Sequence, residues 1–255
     1  MGKVEHIKET IKALTFKSQE TDLPEPLTTL NDESVLNAAL EIARKDQDSV
    51  WQASCGLQGI QTNKTFTNFN KQYQPQVYKS LKEYDFGKSL IISSPDIYGV
   101  GKTHLVCALI NRILKNETKA DIIGDAVKAV YKYNCPVYFT TEPLLLARIK
   151  DTFDNKEKTE SEKDIYNKLK KVQLLIIDDV GKLRPHDITF TQDVYFRVID
   201  DRYNNEKDII ITTNLNWPDF ESHIGGASAD RLREMCGRDG LIKMTGKSYR
   251  RIGNG

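Results

Sequence analysis

From about residue 65 onward, stretches with helical spacing of apolar residues alternate with short continuous apolar runs. Helical spacing occurs in YKSLKEY, THLVCALINRIL, EPLLLARIKDTF and TQDVYFRVIDDRYNN, whereas the short apolar runs are SLIISS, PVYFTT, VQLLIIDD and DIIITTN. Apolar runs of that length predict strands that are buried on both faces. The alternation therefore predicts an α/β fold, in which helices cover both faces of a parallel sheet.

The first 60 residues have a different pattern. Apolar residues between Val4 and Leu14 recur at helical spacing, and a second pattern of this kind follows the two prolines of TDLPEPLTTL. We expect a small helical N-terminal region over residues 1–60 and the α/β domain over residues 61–255. The amphipathic helices either cover the main core or bind a partner protein, and the pattern alone does not decide between the two.

Composition narrows the class of protein. The chain has 255 residues, a formal net charge of +1 and four cysteines without a CxxC pair, which argues against a disulfide scaffold and a structural zinc site. Because neither a signal peptide nor a long apolar segment is evident, we expect a cytoplasmic protein without a membrane partner. From Ala229 onward, seven basic and three acidic residues give a local charge of +4.

The segment GVGKT lies between a predicted strand and a predicted helix, which is the context of a phosphate-binding loop. Gly99 and Gly101 allow backbone amides to point at phosphate oxygens, and the helix N-terminus adds a favourable dipole. Lys102 would reach the β- and γ-phosphates of ATP, and the Thr103 hydroxyl would ligate Mg²⁺. Asp96 stands where the usual pattern has a glycine, and we expect its side chain to point away from the phosphates.

Two further strands end in polar residues. Asp178 and Asp179 follow QLLII, and Asn214 follows DIIITT. Since ligands bind at the carboxyl ends of parallel strands, we predict that Asp178 contributes to the Mg²⁺ shell, that Asp179 polarises the attacking water and that Asn214 orients it. Taken singly, each pattern also suits a helix cap or a turn.

The segment ADRLREMCGRDG offers candidates for an arginine finger, the cation that stabilises charge developing on the γ-phosphate. On one continuous helix, Arg231 and Arg238 would share a face and Arg233 would point elsewhere. A solvated basic surface is the alternative interpretation of these residues.

The chain from about Thr65 to Arg251 resembles the AAA+ ATPases of the bacterial helicase-loader group, DnaC and DnaI, and their transposon relative IstB. The segments that carry the resemblance are TFTNF, YGVGKTHL, LLIIDDVGK, VIDDRYNNEKDIIITTNL, DRLREM and SYRR. The resemblance implies a P-loop NTPase of the AAA+/ASCE class that uses ATP and Mg²⁺. It places nucleotide binding at Tyr98, Gly99, Val100, Gly101, Lys102, Thr103 and His104.

The same resemblance makes Asp178 the Mg²⁺-linked acid, Asp179 the catalytic base and Asn214 the first sensor residue. Arg231 becomes the finger that acts on a neighbouring subunit, so a nucleotide-dependent homo-oligomer is expected. One departure affects this assignment, because the arginine that loaders commonly carry four positions earlier is Ala227 here. The division of roles among the arginines therefore stays open.

Three functions are compatible with these motifs. The first is a helicase loader that binds single-stranded DNA, with Tyr249 and nearby basic residues as a candidate contact, and that holds a hexameric replicative helicase through its N-terminal region. The second is an IstB-like helper of a DNA transposase, which the ATPase core alone does not distinguish from a loader. The third is a nucleotide-dependent binding module with negligible hydrolysis. We expect the loader, an enzyme that hydrolyses ATP with stimulation by DNA and by self-association.

Overall fold

The structure is a computed structural model that describes residues 50–123, 126–131, 135–154, 160–183 and 187–249. The chain divides into two compact units, one made of Met1–Gln52 with Ile113–Asn134, the other of Ala53–Arg112 with Cys135–Gly255. The two helices expected within residues 1–49 lie outside the described residues. Within the first unit, the described strands β2 (Thr118–Ile123) and β3 (Ala126–Tyr131) pair as an antiparallel hairpin.

The second unit contains a five-stranded sheet. Its strands are β1 (Leu90–Ser93), β4 (Val137–Thr141), β5 (Leu174–Val180), β6 (Asp208–Thr213) and β7 (Leu241–Lys243), and their spatial order is β4-β5-β6-β1-β7. Every pair of neighbours is parallel. One strand, β6, therefore separates the strand before GVGKT from the strand that carries the two aspartates.

The described helices include α1 (Pro75–Lys82), α2 (Lys102–Glu117), α3 (Glu142–Asp154), α4 (Glu162–Lys171), α5 (Ile188–Asn204), α6 (Trp217–Ile224) and α7 (Gly226–Cys236). Successive strand residues point to opposite sides of the sheet. On β6, Ile209 and Ile211 join the core cluster that α3 to α7 help to form, whereas Ile210 faces the other side and is also fully buried. The sheet is thus covered on both faces, which confirms the predicted α/β fold.

A buried arginine fixes the amino-terminal ends of β5 and β6. Arg202 is 1% exposed, and its guanidinium donates hydrogen bonds to the backbone oxygens of Leu169, Val172, Gln173 and Asp208. Its burial lowers the pKa of Arg202 to about 10. Because these backbone oxygens accept the hydrogen bonds of the guanidinium group, Arg202 links α4 and α5 to the amino-terminal ends of β5 and β6.

The sequence analysis did not predict the hairpin β2–β3 or the short edge strand β7. The helix α4, which lies in a segment rich in charged residues, begins with a capping box between Ser161 and Asp164. The expectation that Arg231 and Arg238 share one helix face was wrong, because α7 ends at Cys236. Gly237 has a φ of 58° and ends the helix in a left-handed conformation that favours glycine.

Candidate functional site

The candidate site lies where β1, β5 and β6 end. Ser94 follows β1, Asp178 lies near the end of β5, and Asn214 follows β6. The register pairs Ser93 with Thr213, so the residues after these two strands come side by side. The carboxyl edge of the sheet is the usual ligand edge of an open α/β fold, and all three side chains meet there.

Lys102 begins α2, and its ammonium group points into this edge. Its Nζ donates a hydrogen bond to Oγ of Ser94 and another, of 2.5 Å, to Oδ1 of Asn214. The Ser94 hydroxyl also lies 3.1 Å from Asn214 Oδ1. The three side chains form one cluster that joins the glycine-rich loop to the end of β6.

The charge of Lys102 is poorly solvated. The residue is 6% exposed, and its burial lowers its pKa to about 8, although the nearby carboxylates of Asp179 and Asp178 act in the opposite direction. A buried ammonium is stabilised by an anion placed close to it. The site therefore favours an anionic ligand at the start of α2.

The loop before α2 has the backbone that a phosphate cradle requires. Gly99 and Gly101 have φ values of 77° and 100°, in the region that favours glycine, and Val100 between them is fully buried. Asp96, at the position where a glycine was expected, has a φ of 59° and an exposed side chain. Aspartate tolerates this left-handed conformation better than most residues, so the loop keeps its shape.

Next to the cluster of Lys102, Ser94 and Asn214, Thr103 and Asp178 bring a hydroxyl and a carboxylate group together. Thr103 Oγ1 donates to Asp178 Oδ2 over 2.8 Å, and Thr212 Oγ1 donates to the other carboxylate oxygen over 2.5 Å. Asp178 is 1% exposed, and its burial raises its pKa despite these hydrogen bonds. Hydroxyl and carboxylate oxygens are hard ligands of the kind that Mg²⁺ prefers.

Asp179 lies at an irregularity in the sheet. The pairing of β5 with β6 shifts between Ile177 and Val180, and Asp179 has a φ of 60°. Its backbone N–H donates to Thr212 Oγ1, and its carboxylate forms a 2.6 Å ion pair with Lys182. The Asp179 carboxylate is partly exposed and lies close enough to Lys102 to oppose the fall in that residue's pKa, whereas Asp178 is buried.

Aromatic side chains cover the glycine loop. A Cβ on Gly101 would lie 2.6 Å from Cε2 of Phe69, so this ring packs directly on the loop. Tyr249 donates its backbone N–H to the oxygen of Gly99 and lies 5.5 Å from the Phe69 ring, centroid to centroid. His104 Nε2 lies 3.0 Å from the oxygen of Thr65, and burial lowers the pKa of His104. Tyr249, which the sequence analysis offered as a candidate DNA contact, thus contacts the loop.

The remaining predicted residues are placed as follows. Tyr98 is exposed, and Arg231 lies on α7, where it forms a 3.0 Å ion pair with Asp200 of α5 and lies over the Phe196 ring. Arg233 lies over the Trp217 ring at 4.3 Å. Arg238 follows α7 and is exposed.

The residues present fit ATP and Mg²⁺. A buried cation, a left-handed glycine loop and a helix N-terminus together suit phosphate oxygens. Among the described residues, no group of three or more His, Cys, Asp or Glu side chains could enclose a metal by itself. Thr103 and Asp178 can therefore supply two ligands to Mg²⁺, while phosphate oxygens and water supply the others.

Sequence reasoning did not include Ser94 and Glu142 in the site. Ser94 could have been found by the rule that placed Asp178 and Asn214, since it is also the polar residue that follows an apolar strand. Glu142 accepts a hydrogen bond from the backbone N–H of Gly181, over 2.7 Å, just beyond the two aspartates. Because 39 residues separate them, no local spacing indicates this contact.

A sequence model for IstB-like ATP-binding proteins matches residues 47–253, which is most of the chain. The chain belongs to the IstB-like ATP-binding protein family. Related sequences include the chromosomal replication initiator protein DnaA of Streptococcus uberis, 29% identical over 116 residues, and that of Streptococcus agalactiae serotype Ia, 25% identical over 118 residues. Each match covers 46% of this chain and 22% of the relative, so the chain spans about a fifth of the DnaA length.

Solved structures show that this member of the IstB-like family has the AAA+ P-loop fold. The match to the DnaC helicase loader has a TM-score of 0.53 at 21% identity and covers 74% of this chain and 100% of the solved chain. The match to DnaI has a TM-score of 0.52 at 16% identity and covers 74% of this chain and 95% of the solved chain. The match to AMPPCP-bound DnaA from Aquifex aeolicus has a TM-score of 0.53 at 20% identity and covers 73% of this chain and 52% of the solved chain. In the part of the chain that the structure describes, every helix is too short or too polar to cross a membrane.

Proposed function

We propose that this protein is an ATP-hydrolysing helicase loader, which binds single-stranded DNA and delivers a replicative helicase in DNA replication. The observation that supports the ATPase most strongly is the meeting of Lys102, Asn214 and the Thr103–Asp178 pair at one sheet edge. Loading is supported by the likeness in fold to the solved chain of the DnaC helicase loader, which the match covers in full.

In the proposed site, the ammonium of Lys102 binds the β- and γ-phosphates of ATP, and the amides around Gly99 and Gly101 bind phosphate oxygens. Thr103 and Asp178 would hold Mg²⁺, which neutralises phosphate charge and orients the phosphate chain. Lys102 would release its hydrogen bonds to Ser94 and Asn214 as the phosphates take their place. Phe69 and His104 then border the nucleotide near the loop.

For hydrolysis, we assign Asp179 as the residue that accepts a proton from the attacking water and Asn214 as the residue that orients this water. Asp179 must exchange its ion pair with Lys182 for the water. Arg231 is the proposed finger and acts on the site of a neighbouring subunit, as its surface position on α7 allows. The chain would therefore hydrolyse ATP fastest as an assembled homo-oligomer on DNA.

A second candidate function is supported by the family itself. The sequence model is that of IstB-like ATP-binding proteins, and an IstB-like ATPase would assist a DNA transposase rather than load a helicase. A third candidate, a nucleotide-dependent binding module, would keep the Lys102 cluster but make no use of Asp179. The carboxylate of Asp179, which lies near Lys102 at the ligand edge of the sheet, supports hydrolysis over this third candidate.

Binding of the full chain to candidate partners tests the loader against the transposase helper. The chain is immobilised with ATP and Mg²⁺ and offered a purified hexameric replicative helicase or a transposase, and a chain that lacks residues 1–49 serves as the comparison. We expect helicase binding that requires residues 1–49, and we expect Lys102→Ala to lose ATP affinity and ATP-dependent binding together. Capture of the transposase alone would contradict the loader, and unchanged ATP affinity in Lys102→Ala would contradict the phosphate loop.

A further inference from the structure

We propose that Glu142, held by Tyr195 and His223, positions the turn that carries Asp179. This inference rests on the proposed ATPase function and names a residue that acts through Asp179. Glu142 is a positioning residue, because its described contacts are to Gly181, Tyr195 and His223 and none is to Lys102, Thr103 or Asp178.

Glu142 is the first residue of α3 and is 2% exposed. Its Oε2 accepts the backbone N–H of Gly181 over 2.7 Å. Its Oε1 accepts the hydroxyl of Tyr195 over 2.7 Å and lies 2.7 Å from Nε2 of His223. Both carboxylate oxygens are therefore used, and they join α3, α5 and α6 to the turn after β5.

That turn has an unusual backbone. Asp179 and Gly181 have φ values of 60° and 74°, and a Cβ on Gly181 would lie 2.3 Å from Cδ1 of Leu215. Between them, the oxygen of Val180 accepts a hydrogen bond from Thr213. A left-handed backbone is unfavourable for aspartate compared with glycine and persists where neighbouring contacts fix it. The bond from Gly181 to Glu142 is such a contact, two residues beyond Asp179.

The chemistry of Glu142 suggests more than packing. Burying a carboxylate is costly, and an apolar side chain of similar size often stabilises a core as well or better. A carboxylate at this place has one property that an apolar residue lacks: it accepts the Gly181 amide while two side chains fix its own orientation. Small displacements of a catalytic group can reduce turnover about a hundredfold, so fixing this turn has a direct use in catalysis.

The first test measures the turn without any turnover. Amide exchange of the segment 179–183 is compared in the wild type, Glu142→Ala and Glu142→Gln, with Glu162→Gln as a control that removes a surface glutamate paired with Arg197. We expect exchange to increase about tenfold or more in Glu142→Ala, and less in Glu142→Gln, whose amide oxygen can still accept the Gly181 N–H. The segment 99–103 should not change. Unchanged exchange at 179–183 in Glu142→Ala would overturn the proposal.

The second test is a double-mutant cycle on ATP turnover. Glu142→Ala should lower kcat about 10- to 100-fold and leave ATP affinity within about twofold, whereas in an Asp179→Asn background it should lower kcat no more than about twofold. Equal losses in both backgrounds, or a loss of ATP affinity, would overturn the proposal. Tyr195→Phe, which removes one hydrogen-bond donor to Glu142, should show a smaller loss of kcat with ATP affinity retained. This variant replaces Glu142→Ala in the test if Glu142→Ala folds poorly. Absence of turnover in the wild type would contradict the proposed ATPase, whereas the exchange measurement still decides the role of Glu142.

Discussion

The hydroxyl of Thr103 donates a 2.8 Å hydrogen bond to Oδ2 of Asp178, although 75 residues separate the two. This contact joins the first turn of α2 to the end of β5 and brings two hard oxygen donors together. The donors lie beside the buried ammonium of Lys102, so one edge of the sheet can contact both phosphate and a divalent cation.

The Thr103–Asp178 pair leads to a prediction about magnesium. In the wild type, Mg²⁺ should strengthen ATP binding, because Asp178 and Thr103 would hold the ion and the ion would neutralise phosphate charge. Asp178→Asn should lose most of this Mg²⁺-dependent increase in ATP affinity while retaining metal-free ATP binding. Thr103→Ser should retain the Mg²⁺-dependent increase. Titration with a fluorescent ATP analogue, with Mg²⁺ or with a chelator, measures the effect. Asp193→Asn, a change of an exposed aspartate on α5, is the control, and an undiminished Mg²⁺ effect in Asp178→Asn would rule out this site.

The pKa of Lys102 predicts how stability changes with pH. Its value falls from 10.5 to about 8 on folding, so between these values the unfolded chain binds more protons, and the free energy of unfolding that this residue contributes rises with pH. The free energy of unfolding of the wild type, relative to that of Lys102→Met, should therefore rise between pH 8 and pH 10.5 by up to about 3 kcal/mol. Urea unfolding of both proteins without nucleotide measures the shift. A difference that is constant with pH would show that Lys102 is well solvated.

Asp96 should have little influence on ATP binding. Its side chain is exposed, and its backbone N–H donates to the oxygen of Asn214 over 3.3 Å, a bond that glycine also forms. We expect Asp96→Gly to change ATP affinity less than about twofold, because an exposed carboxylate is largely screened by solvent. Isothermal titration calorimetry at two salt concentrations tests this. A tenfold gain in affinity would mean that the aspartate repels the phosphates.

Arg231 should matter for stimulated hydrolysis and not for binding. Arg231→Ala should leave the ATP affinity of the isolated chain unchanged and lower DNA-stimulated turnover about a hundredfold or more, since a finger acts only in the transition state. Asp200→Asn, which removes the ion-pair partner of Arg231, should retain stimulation. Steady-state turnover with single-stranded DNA measures both variants. A loss in Arg238→Ala with normal turnover in Arg231→Ala would move the finger to Arg238.

Much of the sheet and of the phosphate loop could be predicted from the sequence. Continuous apolar runs mark β1, β4, β5 and β6 because both faces of these strands are buried, and the glycines of GVGKT mark the loop because its φ values are positive. β7 has only three residues and lies at an exposed edge, so its burial imposes no apolar run.

The contacts that complete the site could not be predicted in the same way. Glu142 and His223 meet across 81 residues, and Arg231 reaches Asp200 on another helix. Such pairs depend on how helices pack on the sheet, and periodicity reports only which face of an element is buried. Ser94 could have been predicted, because it is a polar residue that follows an apolar strand. The end of α7 at Cys236, in contrast, depends on a single glycine, Gly237.

The central claim is that this chain hydrolyses ATP with Asp179 as the base, and turnover of the wild type beside Asp179→Asn tests it most directly. The substitution keeps the size of the side chain and leaves Lys102 and the Thr103–Asp178 pair in place. We predict turnover at least about a hundredfold lower in Asp179→Asn, with ATP affinity within about twofold of the wild type. Equal turnover in the two proteins, with single-stranded DNA present, would contradict the account.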